Sequence, residues 1–317
     1  KMLREAKDAP ERSIRNLVDM ALYFSDGRYQ RNFFTVAQEM LRNEQSAYYP
    51  LLRDLLAHVD EERLLDFGMA LGYQGFVRGA KTIRAAEAKL AGHVPWFVTL
   101  HRDSGAYPGQ RADYRRLLEQ ARTLGTHGCL LLTDGEPREL IDLAADFPDC
   151  FFLLACGGEL VTAPLAEEAE RVHNLVFAPY GEQAEEACAL LREKRFLYAL
   201  SIRYGAAEAE NIAGGEWYSW AENCHAPLTL LLPDRDCPPQ AQERVYDSVL
   251  SQRRQQAYRT IPWEAVRDGR LVDSVLSGAP CTVTLDSRGF LEGTEENAFA
   301  LGFPALLKRN FPRKTNG

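Results

Sequence analysis

The sequence lacks any long apolar run, which excludes a membrane-spanning helix. Its longest apolar stretches, Cys129–Leu132 and Leu228–Leu232, are far shorter than the roughly 20 residues that such a helix needs. The opening segment, Lys1–Arg12, is too highly charged for a secretory signal. We therefore expect a cytoplasmic protein that does not interact with a membrane.

Basic residues are in deficit. The 45 Asp and Glu residues outnumber the 37 Lys and Arg residues, which gives a formal net charge of −8. A general nucleic-acid surface needs concentrated Lys and Arg to release the counterions of the phosphates. The one locally basic stretch, 308–314, lies near the end of the sequence. We expect no nucleic-acid partner.

Cysteine is sparse, and its pattern is uninformative for disulfides. The seven cysteines include no CxxC pair, so the sequence indicates neither a disulfide framework nor a zinc site of the usual spacing. The Cys224–His225 pair and Cys237 are interpreted as buried packing residues. A phosphate-binding GxxxxGK[ST] loop and a GxSxG nucleophile elbow are also missing.

Helical patterns fill the first ninety residues. Apolar side chains recur three and four residues apart in five segments, at 11–25, 31–42, 47–58, 61–71 and 79–91. Gly72 and Gly75 are predicted to interrupt the pattern. We assign 1–93 to a helical N-terminal region.

From Pro95 onward, short apolar runs alternate with amphipathic segments. The runs are 96–100, 129–133, 150–155, 174–178, 196–202 and 226–232, and the helical segments are 111–125, 136–146, 163–172, 183–194, 208–222 and 239–256. Strands that are apolar on both faces and alternate with helices are typical of a parallel sheet covered by helices.

We therefore predict an α/β fold with a partial (β/α)6 TIM-like barrel over 94–260, because a closed barrel requires eight such units. A flat doubly wound sheet remains the alternative. The remaining segment, 261–317, is predicted to form a hairpin, Cys281–Leu285 with Gly289–Leu291, and a tail packed on the barrel.

A ligand-binding rim is predicted after the second strand, at Thr133-Asp134-Gly135-Glu136-Pro137. Gly135 permits a tight or positive-φ turn, and Pro137 suits the first turn of the next helix. Glu136 puts a carboxylate at the carboxyl end of the strand, the edge at which α/β barrels bind ligands. Taken alone, the motif favours a loop glycine followed by a helix-capping glutamate.

Five segments in order resemble those of the radical SAM superfamily. Thr133–Pro137 resembles its TGGEP motif, and Ala155–Val161 resembles its TNGTLI loop. Asn174–Glu182 and Leu200–Tyr204 are similar to its fourth and fifth strands, and Gly72–Thr99 to the entry of the first strand in one bacterial branch. The resemblance covers residues 60–292. It implies a partial barrel of the radical SAM type.

The resemblance also implies a rim for S-adenosylmethionine (SAM) or another ligand, formed by Asp134, Gly135, Glu136 and Ser201. Asp134 stands where the family usually has glycine. This second carboxylate would repel the carboxylate of SAM and attract a cation.

This sequence differs from the radical SAM superfamily in the loop that binds the iron–sulfur cluster. In the family, a CxxxCxxC loop after the first strand supplies three thiolates to the cluster. Here the loop His101–Gln110 contains no cysteine and is shorter than its counterparts. Cys156 lies at a suitable strand end, but one thiol does not hold a cluster. We expect no iron–sulfur cluster and no conventional radical chemistry.

A non-radical metal site is the competing interpretation of the same rim. His101 and Asp103 follow the first strand, and Asp134 and Glu136 follow the second. Imidazole and carboxylate ligands suit zinc, manganese or ferrous iron. The simpler interpretation, which these residues favour, is a solvated loop at Arg102 and Asp103, with His101 bound to a nearby carbonyl.

The leading hypothesis is a pseudoenzyme or accessory binding protein without catalytic residues. It binds a ligand, or a protein or peptide partner such as a true radical SAM enzyme, at the barrel mouth. A non-radical enzyme that uses the metal site or bound SAM at the same mouth is the alternative. No cofactor other than SAM is expected.

Overall fold

The computed structural model describes residues 42–103 and 110–313. The predicted helix at 11–25 and nearly all of that at 31–42 lie outside these residues, as does 104–109 in the loop after the first strand. In the described part of the chain, no helix is both long enough and apolar enough to cross a membrane.

The described residues form eight strands and the helices that connect them. The strands are β1 (Phe97–Arg102), β2 (Gly128–Thr133), β3 (Phe151–Gly157), β4 (Leu175–Tyr180), β5 (Ala199–Tyr204), β6 (Leu228–Pro233), β7 (Ile261–Glu264) and β8 (Val283–Leu285). The helices are α1 (Tyr48–His58), α2 (Glu61–Gly68), a π-helix (Met69–Gly79), α3 (Ala80–Leu90), α4 (Arg111–Leu124), α5 (Arg138–Ala145), a 3-10 turn (Gly158–Leu160), α6 (Ala163–Ala169), α7 (Ala184–Glu193), α8 (Ala206–Gly214), α9 (Glu216–Asn223), α10 (Pro239–Gln255), α11 (Ala265–Leu276), α12 (Ala298–Leu301) and α13 (Phe303–Asn310).

The chain divides into two compact units. The five-strand unit comprises the described residues of 62–187 and 266–313, and the three-strand unit comprises those of 42–61 and 188–265. This division differs from the predicted segments 1–93, 94–260 and 261–317, because each unit combines stretches that are distant in sequence.

Both sheets are entirely parallel. The five-strand unit has the order β4-β3-β2-β1-β8, and the three-strand unit has the order β5-β6-β7. Strands β1 to β4 are neighbours in chain order, whereas a doubly wound sheet reverses its order at a switch point. The α/β fold and its six predicted strands are confirmed, and β7 and β8 are added to them.

The predicted C-terminal hairpin is present in part, and its first strand has a second partner. Val283–Leu285 pairs in parallel with β1, in the register Val98 to Val283. The hairpin pairing is an antiparallel bridge from Leu285 to Leu291, with main-chain hydrogen bonds from the Asp286 N–H to the Phe290 oxygen at 3.0 Å and from the Glu292 N–H to the Thr284 oxygen at 2.9 Å. Val283 and Leu285 are fully buried, so this short strand contributes more apolar burial as part of the sheet than it would as a surface hairpin.

The predicted interruption at Gly72 and Gly75 is a change of helix type. Regular α-helix ends at Gly68, the chain continues through both glycines as the π-helix, and α-helix resumes at Ala80 as α3. Glycine at position 79 serves close packing: a Cβ there would lie 2.7 Å from the carbonyl oxygen of Gly125, just before β2.

Asn174 fixes the amino ends of β3 and β4 to each other. It is 4% exposed and immediately precedes β4. Its Nδ2 donates to the main-chain oxygens of Ala144, Phe147 and Cys150 at 3.1, 2.9 and 2.8 Å. Ala144 lies in the last turn of α5, and Phe147 and Cys150 lie between α5 and β3, so Asn174 joins this connection to the start of β4.

A buried polar cluster lies beneath the start of β1. The Asp273 carboxylate accepts a hydrogen bond from the Trp96 N–H at 2.8 Å, and the Glu87 carboxylate accepts one from the Val94 N–H at 2.9 Å. Ser277 Oγ also donates to Glu87. Burial raises the pKa of Asp273 from 3.8 to about 7, against the lowering effect of the bond from Trp96.

We expect Asp273→Asn to remove a pH dependence of stability. The native state holds the Asp273 proton up to about pH 7, whereas the unfolded chain releases it near 3.8. Because the native state binds more protons in this window, the wild-type free energy of unfolding falls as the pH rises from 3.8 to about 7. Urea unfolding across this range measures the fall. The exposed variant Asp247→Asn is the control and should keep the wild-type slope of unfolding free energy against pH. The same slope in Asp273→Asn as in the control would contradict the prediction.

Candidate functional site

The candidate site is the edge of the five-stranded sheet at which β1, β2, β3 and β4 end. The parallel register places Arg102 opposite Thr133 and Gly157 opposite Tyr180. The loops that follow these strands therefore emerge at one edge. This is the edge at which α/β barrels bind their ligands.

The loop after β2 has the conformation expected for a rim. The Thr133 hydroxyl accepts a hydrogen bond from the Gly135 N–H at 3.1 Å, and the Thr133 carbonyl accepts one from Tyr180 Oη at 3.2 Å. Gly135 makes the tight turn without a positive φ. The side chains of Asp134 and Glu136 are exposed, so both predicted rim carboxylates face solvent.

Arg102 fastens the end of β1 to the start of α5. One guanidinium nitrogen donates to the Glu136 carbonyl at 2.9 Å, and another donates to Glu139 Oε2 at 2.7 Å. The Arg102 side chain is 15% exposed. Charge-assisted bonds from a planar guanidinium fix the geometry of both partners. Sequence analysis predicted a solvated loop here and did not identify the structural role of Arg102. An arginine at the end of a strand is only a weak sequence indication of such a role.

His101 and Asp103 take part in structural contacts toward β8. The His101 carbonyl accepts a hydrogen bond from Tyr114 Oη at 3.2 Å, and the same hydroxyl lies 3.3 Å from the Ser287 carbonyl. Burial raises the pKa of Tyr114 to about 12, so its hydroxyl remains a donor. Asp103 Oδ2 accepts from Ser287 Oγ at 2.6 Å.

The predicted metal-binding set is not assembled in this structure. Among residues 42–103 and 110–313, no group of three or more His, Cys, Asp or Glu side chains is arranged to hold a metal ion. Asp103 is engaged by Ser287, whereas Asp134 and Glu136 lie exposed on the loop after β2. The four residues His101, Asp103, Asp134 and Glu136 therefore share an edge without forming a coordination group.

The residues at this edge do not fit an iron–sulfur cluster. A cluster requires several thiolates, and the loop that follows β1 contributes no cysteine. Cys156, at the end of β3, is fully buried, and burial raises its pKa to about 12, with Glu159 and Glu136 adding to the effect. Burial also raises the pKa of Cys129 and of Cys150. These cysteines are protonated packing residues at neutral pH.

The loop after β3 packs closely against the loop after β4. A Cβ on Gly157 would overlap the Glu159 carboxylate, and a Cβ on Gly158 would overlap the main chain of Gln183. Gly158 is therefore needed for this approach, whereas the Glu159 side chain, which belongs to the same loop as Gly157, could move. The predicted third loop, Ala155–Val161, thus has a definite packing role at the site.

The rim is strongly acidic. The exposed carboxylates at the ends of the strands are those of Asp103, Asp134, Glu136, Glu159 and Glu182. The arginines near this edge, Arg102, Arg138 and Arg288, are paired with other groups of the protein. Carboxylates without a matching cation attract a positively charged ligand and repel an anionic one.

Ser201, the fourth predicted rim residue, belongs to β5 of the three-strand unit. It is 1% exposed and is therefore a buried strand residue. At the end of the same strand, Tyr204 Oη donates to Glu264 Oε1 at 2.7 Å, and both side chains are fully buried. Sequence reasoning missed this phenol–carboxylate pair, because nothing local marks either residue.

No protein-family model and no curated protein matches the sequence. Solved structures do match it. The crystal structure of SuiB from Streptococcus suis is 10% identical, with a TM-score of 0.54 over 74% of this chain and 71% of SuiB. SuiB bound to S-adenosylmethionine is 11% identical, with a TM-score of 0.53 over 74% and 69%. SuiB is a protein of the radical SAM type.

The chain shares with SuiB an α/β fold in which helices accompany parallel strands. This likeness agrees with the partial barrel that the sequence predicts. At about one identical residue in ten, it shows the fold and leaves the chemistry to the residues of the site.

We expect Arg102→Met to loosen the loop after β2. The substitution removes both guanidinium bonds and should lower the free energy of unfolding by about 1 kcal/mol, since one partner is largely exposed. Hydrogen exchange should speed up at 134–139. Arg138→Met is the matched control, because Arg138 pairs with Glu168 at an exposed position, 2.9 Å away. Equal exchange in the two variants would show that Arg102 does not hold the loop.

Proposed function

We propose that this chain is a cluster-free protein of the radical SAM-type fold that acts by binding. Its ligand or partner occupies the carboxyl edge of the five-strand unit. The proposal rests on the end of β1. Radical SAM proteins have a cysteine-containing loop at this position, whereas this chain has the Arg102 contacts followed by a loop without cysteine.

The charge of the rim supports a cationic ligand. SAM carries a sulfonium and an ammonium group, both positive, and the exposed carboxylates of Asp134 and Glu136 would favour these charges. SuiB, which shares the fold, has been crystallised with SAM bound. We therefore propose SAM as the first small ligand to test, bound without reductive cleavage.

A protein or peptide partner is the second occupant that the same edge would accept. Basic side chains of a partner would meet the carboxylates that otherwise face solvent. A cluster-bearing radical SAM enzyme is the partner we propose, with this chain in an accessory role. No residue of this chain is assigned a catalytic function.

Anaerobic reconstitution tests the absence of a cluster. We expect the full chain, treated with iron and sulfide alongside a cluster-bearing radical SAM protein, to retain no stoichiometric iron and no visible absorption after desalting. The reason is the lack of accessible thiolates. A brown protein with stoichiometric iron would contradict the cluster-free proposal.

Calorimetric titration with SAM tests the ligand. We expect SAM to bind the full chain. Its affinity should be about tenfold lower in the double variant Asp134→Asn, Glu136→Gln, because each exposed ion pair contributes roughly 1 kcal/mol or less. Glu168→Gln, an exposed change on α6, is the control. The absence of any binding heat, or equal affinity in all variants, would reject SAM as a ligand of this rim.

A further inference from the structure

The chain enters β1 through residues 91–96, which we call the entry segment. Two buried acids from distant helices hold its main chain. The Val94 N–H donates to the Glu87 carboxylate of α3 at 2.9 Å, and the Trp96 N–H donates to the Asp273 carboxyl of α11 at 2.8 Å. Both acids are almost fully buried, with Asp273 2% and Glu87 3% exposed. The conformation of the entry segment therefore depends on two carboxyl groups.

The last described residues, 311–313, lie against the entry segment, and we call them the C-terminal strap. The His93 N–H donates to the Phe311 carbonyl at 2.7 Å, and the Arg313 N–H donates to the Ala91 carbonyl at 3.0 Å. An antiparallel bridge joins the same two stretches. The last two residues of the strap are exposed, so its attachment depends on these main-chain bonds rather than on apolar burial.

The titratable and charged groups around Asp273 come from four parts of the five-strand unit. They are Glu87 of α3, His93 of the entry segment, Cys281 just before β8 and Arg313 of the strap. The two basic groups face Glu87: His93 Nδ1 lies 3.5 Å from Glu87 Oε1, and Arg313 Nη1 lies 3.9 Å from Glu87 Oε2. Burial raises the pKa of the Cys281 thiol, so this neighbour of Asp273 stays neutral. Ionised Asp273 therefore adds a second negative charge to a cluster whose basic groups already face Glu87.

The protonation state of Asp273 differs between a closed and an opened entry segment. Burial raises the pKa of the closed form to about 7, although hydrogen bonds from Trp96 and Cys281 act to lower it. The neutral carboxyl still accepts the bond from Trp96, and no charge has to be desolvated. In the opened form water reaches the carboxyl, and its pKa returns toward 3.8. The closed form therefore binds more protons between these two values, and falling pH favours it.

We propose that Asp273 is a proton-operated latch: its neutral carboxyl keeps the entry segment and the C-terminal strap closed, and its ionisation lets the two open together. They open together because the strap binds the main chain of residues 91 and 93. Opening stops at Phe97, where β1 begins and is paired with β2, and from Val98 with β8 as well. The latch lies at the amino edge of the sheet and does not depend on the function proposed for the carboxyl edge.

Hydrogen exchange of the full chain, read by mass spectrometry and corrected for the intrinsic effect of pH on exchange, tests the latch. We expect the protection of 91–96 and 311–313 to fall up to about tenfold for each pH unit between about pH 5 and pH 7, because closing takes up one proton. Above about pH 7 the protection should level off. In Asp273→Asn it should be independent of pH, since an amide does not ionise. Exposed Asp247→Asn is the matched control and should keep the wild-type dependence.

Amides of β2 and β3 report opening of the whole five-strand unit in the same experiment. Their free energy of opening should exceed that of 91–96 and 311–313 at every pH, because the latch opens locally. Equal free energies would mean that these segments open only by global unfolding, which overturns the latch. The same pH dependence in Asp273→Asn as in Asp247→Asn would overturn the role of Asp273. The wild-type series decides even if Asp273→Asn does not fold, since protection of 91–96 that is independent of pH would also overturn the proposal.

Discussion

Parallel pairing of β1 with β2 on one side and β8 on the other is the constraint on which the five-strand unit depends. It brings Arg102 beside the loop after β2, and it brings Asp103 beside Ser287. Because the strands are buried on both faces, polar chemistry is confined to the two edges of the sheet. The carboxyl edge carries exposed carboxylates, and the amino edge carries the buried cluster around Asp273.

Much of the fold was predictable because the strands carry a strong local signal. Runs that are apolar on both faces, separated by helical patterns, indicated all six strands from β1 to β6. Strand β8 was predicted as a hairpin arm alone, since its three residues alternate too briefly to show that they also pair with β1. Gly72 and Gly75 were taken as helix breakers, because sequence alone does not show that the chain continues through them as a π-helix.

The site was predictable only where it depends on a strand end. The loop at Asp134 to Glu136 directly follows β2, so its position follows from the secondary structure. The contacts of Arg102 join residues 34 and 37 positions apart, and the contact of Asp103 spans 184 positions. Such pairs have no local signature. The hydrogen bond between Tyr204 and Glu264 was also not predicted, because these residues are 60 positions apart in the sequence.

The Arg102 contacts also bear on how this edge of the sheet responds to salt. The bonds to the Glu136 carbonyl and to Glu139 both depend on the guanidinium charge, and the Glu139 side chain is 46% exposed. Salt screens exposed charge pairs, whereas the main-chain pairing of β1 with β2 carries no net charge to screen. The loop after β2 is therefore more sensitive to ionic strength than the sheet that positions it.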